Sequence, residues 1–76
     1  MENYRVFYTD MELPAGADSP TINKLIPLEF ATRDEAMVEA FKRIYHGGVV
    51  WKIEGPDGFR MAREEVEKQY RIFQST

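Results

Sequence analysis

The chain has 76 residues, 43% hydrophobic and 13% aromatic, with 13 acidic residues, 10 Lys and Arg, and no cysteine. That length allows one domain with a small core, and the lack of cysteine excludes a disulfide-stapled scaffold, a thiolate metal centre and a cysteine nucleophile. The net charge of −3 comes from residues 1 to 30, with five acids and two bases, while residues 31 to 76 hold eight of each. Such a distribution offers no clustered basic field, so neither duplex nucleic acid nor an anionic membrane surface is an expected partner.

Met1 leads into Glu2-Asn3-Tyr4 with no basic segment and no apolar run of ten residues. Neither a signal peptide nor a membrane span is expected, and a cytoplasmic location is. Tyr4 to Thr9 is a run of β-branched and aromatic residues broken only by Arg5, which predicts a strand. From residue 10 to residue 21 come Pro14, Gly16, Asp18, Ser19 and Pro20 without periodicity, a connection longer than most. Leu25 to Phe30 is expected to be an edge strand, because Ile26, Leu28 and Phe30 alternate but Pro27 lacks an amide donor.

Thr32-Arg33-Asp34-Glu35 matches a capping box and starts a helix at Arg33. Ala36, Met37, Ala40, Phe41 and Ile44 recur at spacings of three and four and form its core stripe. Gly47 supplies the left-handed residue that stops it. Val49, Trp51 and Ile53 alternate with Val50, Lys52 and Glu54, predicting a strand whose first set faces the core. Gly55-Pro56-Asp57-Gly58 turns the chain into a hairpin that returns through Phe59 and Met61. From Ala62 to about Gln74 the chain is rich in helix formers, with Val66, Tyr70 and Phe73 at near-helical spacing.

The order β-β-α-β-β-α predicts a single α+β domain over 1–76. The expected architecture is a three- to four-stranded, mainly antiparallel sheet with both helices on one face. The other face is then open. If Tyr4, Val6 and Tyr8 point toward the helices with Val49, Trp51 and Ile53, the open face carries Arg5, Phe7, Thr9, Val50, Lys52 and Glu54. Phe7 and Val50 would form an apolar patch flanked by Arg5, Lys52 and Glu54, either an association site or a patch that the alkyl stems of these charged neighbours cover.

The remaining features point to structural roles. His46, the only histidine, falls at a helix C-terminus, where the dipole favours it, and has no second ligand or base beside it in the pattern. Glu64, Glu65 and Glu67 open the last helix, as the dipole prefers. Trp51 reads as a core anchor. The Gly-Pro-Asp-Gly turn lacks the lysine and following helix of a phosphate loop. Asp10, Glu12 and Asp18 do not match the spacing of a calcium loop. No cofactor or metal site is expected, and no catalytic constellation is recognisable.

Val50-Trp51-Lys52-Ile53-Glu54-Gly55-Pro56-Asp57-Gly58, followed by Arg63-Glu64-Glu65-Val66-Glu67, resembles a group of small uncharacterised bacterial proteins with a similar strand, turn and terminal helix. The resemblance covers the second half of the chain. It implies a bacterial cytosolic origin and no particular chemistry. The expected function is a non-enzymatic protein-interaction module or homodimer acting through the open sheet face. The alternative is a single-stranded nucleic-acid binder that stacks bases on Tyr4, Phe7, Tyr8 and Trp51.

Overall fold

The computed structural model describes residues 3–12, 21–22 and 24–75. Among the described residues, four strands, β1 (Tyr4–Thr9), β2 (Leu28–Phe30), β3 (Val49–Glu54) and β4 (Arg60–Ala62), combine with two long helices, α1 (Arg33–Tyr45) and α2 (Arg63–Gln74), in the order β1-β2-α1-β3-β4-α2, and a single 3-10 turn at Pro56–Gly58 joins β3 to β4. The strands form one antiparallel sheet in the order β2-β1-β3-β4. The α+β class and the element order match the sequence reading. Segment 13–20 of the long connection, which holds Pro14, Gly16, Asp18, Ser19 and Pro20, lies outside the described residues.

Local chemistry sets the helix ends. Thr32 is the N-cap of α1, and its Oγ1 accepts from the Glu35 amide at 3.2 Å. The Glu35 carboxylate does not return to the cap amide; it accepts from the Thr32 hydroxyl at 3.1 Å. At the other end, Gly47 has φ +90°, its amide donates to Ile44 O, and the Gly48 amide donates to Arg43 O at 2.8 Å. This six-to-one and five-to-two pair is the Schellman closure that a left-handed glycine makes possible. α2 starts directly after β4, with Glu64 and Glu65 in its first turn and Arg71 in its last. β2 is an edge strand, as Pro27 predicts, but it begins only at Leu28, after the proline.

The core lies between the sheet and the helices. Val6 of β1, Val50 and Ile53 of β3, Ala36 and Ala40 of α1 and Val66 of α2 are fully buried together. Tyr4, Tyr8, Leu28, Phe30, Met37, Ile44, Phe59 and Met61 pack around them. Small alanines on α1 let that helix approach the sheet closely, and apolar burial on this scale is the main favourable term for a domain of this size. α1 rests on β1, β2 and β3, while α2 rests on β3 and β4.

One irregularity controls which side chains face which way. Val6 pairs with Ile53 and Phe7 with Lys52, but Tyr8 pairs with Val50, so Trp51 is an extra residue on β3. A β-bulge of this kind puts two residues of one strand opposite one of its partner and resets the alternation beyond it. Val50 therefore turns to the helix side, where it is 0% exposed. This corrects the expectation that Val50 belongs to the open face with Lys52 and Glu54, and that Trp51 faces the helices. Strict alternation fails because the pairing with β1 slips by one residue at Phe7/Tyr8.

Candidate functional site

The outer sheet face does not carry the expected apolar patch. Phe7 does point to that side, but it is only 5% exposed, and the Lys52 ammonium lies 4.6 Å from its ring centroid. Lys52 also reaches Glu54 at 3.1 Å. Trp51, 7% exposed, donates from Nε1 to Thr9 Oγ1 at 2.9 Å, and the Arg63 guanidinium covers its ring at 4.8 Å. Cation and alkyl stems thus cap both rings. Of the six residues predicted for a contact surface, Arg5, Phe7, Thr9, Lys52 and Glu54 are together on this face and Val50 is not.

Arg63 organises the upper end of this face. Its Nη1 and Nη2 donate to Glu12 Oε2 and Oε1 at 2.9 and 2.7 Å, and its Nε donates to Glu67 Oε2 at 2.8 Å. The bidentate fork holds the Glu12 carboxyl below the usual carboxylate range, first through the hydrogen bonds from Arg63 and then through its charge. The two carboxylates in turn hold Arg63 even more firmly protonated. At the lower end, Arg5 sits in register between Glu29 and Glu54. Those acids accept from Asn3 and Lys52 instead, and Arg5 Nε is buried without a hydrogen-bond partner.

The aromatic platform expected for single-stranded nucleic acid is divided. Tyr4 and Tyr8 pack on the helix-side core, Tyr4 edge-on to Phe59 at 5.4 Å and Tyr8 beneath the Arg43 guanidinium at 4.5 Å. Phe7 and Trp51 lie on the opposite side of the sheet under their own cations. His46 is an exposed C-cap whose ring meets Tyr45 edge-on at 5.3 Å. Among the described residues, no group of three or more His, Asp or Glu side chains is placed to hold a metal ion. No helix there is long and apolar enough to cross a membrane.

Apart from Met11 and Ile26 in loops, the exposed large apolar side chains among the described residues are on the helix layer. α1 and α2 share β3 and otherwise lie over opposite halves of the sheet, and aromatic rings bridge the space between them. Phe41 meets Tyr70 at 5.6 Å and Phe73 at 5.1 Å between centroids. Above these rings is an open groove of about 460 Å³ lined by Val38, Phe41, Lys42, Tyr45, Tyr70, Phe73 and Gln74. Val38 is 66% exposed, Tyr45 73% and Phe73 59%. The sequence pattern puts Phe41 and Phe73 on core stripes, whereas Val38 and Tyr45 lie outside them. The signal for this surface was present: Val38, Phe41 and Tyr45 recur at spacings of three and four and give α1 a second apolar edge.

The groove supplies apolar walls, two tyrosine hydroxyls, one ammonium and one amide. Its chemistry suits the burial of apolar side chains from another surface. No family model matches this sequence, and no curated protein or solved structure matches it at a significant level. The functional reading therefore rests on the surface itself.

Proposed function

We propose that this chain is a small, non-enzymatic protein-binding domain whose contact surface is the aromatic groove between α1 and α2. The observation that carries the reading is that Val38, Tyr45 and Phe73 are exposed around one groove, whereas the other exposed large apolar residues among those described, Met11, Ile26 and Ile72, do not line it. Small domains have a thin stability margin, and contiguous apolar side chains left on their surface are typical of association sites. Aromatic residues are also the side chains that contribute most at protein interfaces. The sheet face proposed from sequence loses its main support, because Phe7 and Val50 are not exposed there.

The test is a Tyr45→Ser, Phe73→Ser double variant. Both side chains are more than half exposed, so circular dichroism should show the fold retained. A protein held by the wild-type domain in a nuclease-treated lysate, its own copies included, is then purified and its affinity measured by calorimetry. The double variant should bind it about tenfold more weakly or worse. Unchanged affinity would overturn the groove as the contact surface.

A further inference from the structure

The groove is bordered on α1 by an exposed, charge-bearing stripe whose order is its own complement. Asp34, Val38 and Lys42 are spaced four residues apart and therefore share one helix face. All three are exposed, and Val38 and Lys42 line the groove. Asp34 lies about 6 Å before Val38 along the axis and Lys42 about 6 Å after it, from the helical rise per residue. Among the described residues, neither Asp34 nor Lys42 is in an ion pair. The neighbouring cations are engaged elsewhere, Arg33 over Phe59 and Arg43 with Glu39 and over Tyr8.

From this symmetry we infer that the partner of the groove surface is a second copy of the chain, docked with its α1 antiparallel across α1. The inference rests on the groove reading and names its partner. A two-fold axis through Val38 sets Val38 against Val38 of the other copy. The same rotation brings Asp34 of each copy to Lys42 of the other, because in an isologous interface residue i meets j and j meets i. Two ion pairs then flank an apolar centre. Tyr45, seven residues beyond Val38, falls level with position 31 of the other copy, just before the Thr32 cap of its helix, so each groove mouth is partly covered by its neighbour. Charge complementarity of this kind fixes register and rejects the parallel arrangement, in which Asp34 would face Asp34 and Lys42 would face Lys42. A contact limited to one helix and a few aromatics is smaller than the standard interface of about 800 Å² per partner, which places the dimer in the weak class.

The experiment is sedimentation equilibrium on the whole chain. Wild type should move from the 8.9 kDa monomer mass toward twice that value as concentration rises through the micromolar range. Asp34→Lys and Lys42→Asp each set like charges together at both pairing points and should weaken self-association by about tenfold or more. Mixing the two single variants restores opposite charges at both points, so the mixture should dimerise more strongly than either component alone. The fold of each variant is checked by circular dichroism. Val38→Glu, which places two carboxylates on the axis, is a second disrupting variant that leaves both charges in place.

A wild-type chain that stays monomeric to millimolar concentration would overturn the inference, while the binding loss of the Tyr45→Ser, Phe73→Ser variant would still decide the groove reading. A dimer that survives both charge reversals would overturn the antiparallel α1 arrangement. So would a failure of the mixed variants to associate.

Discussion

Trp51 Nε1 donates to Thr9 Oγ1 at 2.9 Å, and this single bond joins the bulged residue of β3 to the end of β1. The Thr9 hydroxyl in turn donates to Met11 O at 2.7 Å, so it both receives the indole and ties down the start of the long connection. Arg63 closes the opposite side of the ring and holds Glu12. The bulge, the sheet end and the first turn of α2 are thereby joined around one indole.

Thr9→Val tests that arrangement. The substitution keeps the β-branched shape and removes the acceptor, leaving a nearly buried indole N–H without a partner, which costs about 1–3 kcal/mol. In a domain of this size that corresponds to a melting temperature lower by several degrees. Trp51 is the only tryptophan, so urea denaturation followed by its emission reads the change directly. Thr9→Ser keeps the hydroxyl and should recover most of the loss.

The bulge also makes Val50 a core residue, and Val50→Thr is sensitive to that placement. Adding a hydroxyl at a fully buried site without a hydrogen-bond partner costs about 1–3 kcal/mol. On a regularly alternating β3, Val50 would be on the outer face and the same change would be nearly neutral, since threonine is a good strand residue. Chemical denaturation of Val50→Thr beside Thr9→Ser separates these outcomes.

Features written in local chemistry were legible in the sequence. Thr32 and Gly47 mark the two ends of α1 because capping needs only residues within one turn, and Gly55 to Gly58 mark the hairpin for the same reason. The bulge at Trp51 was not legible, since it is defined by pairing with Tyr8, more than forty positions away. Val49 and Val50 are both apolar, so composition fits either register. That ambiguity moved Val50 to the wrong side and with it half of the expected apolar patch. Helical spacing puts Phe41, Tyr70 and Phe73 on core stripes, and it could not show that α1 and α2 share only β3 and leave the edge of this ring cluster open to solvent.

Gly55 is required by space and not by conformation. Its backbone is extended, with φ −149°, yet a Cβ placed there would lie 2.5 Å from two carbons of the Tyr4 ring and 3.2 Å from Phe59. Gly55→Ala therefore pushes Tyr4 out of its edge-on contact with Phe59 and costs about 1–3 kcal/mol as an overpacked site. A lowered urea midpoint with an unchanged slope is expected, together with altered near-ultraviolet dichroism from the displaced rings. Tyr4→Leu in the same chain removes the obstructing ring and should reduce the penalty of the alanine.

The Glu12 to Arg63 pair gives the domain a defined acid dependence. Arg63 holds the Glu12 carboxyl below its ordinary value of 4.5 in the folded state. A carboxylate with a depressed folded pKa stabilises the fold fully above its unfolded pKa, and that contribution is lost as pH falls through the folded value. Glu12→Gln removes the titration and the charge, so wild type should be the more stable protein at pH 7. The gap should narrow as the pH falls below about 4.5 and close once Glu12 is protonated in both states. Because the pair is at the surface, the gap at pH 7 should also shrink in high salt. Thermal melts of the two proteins between pH 7 and pH 2.5 check the sign: a gap that widens toward low pH would show that Arg63 does not hold the Glu12 carboxylate in the folded chain.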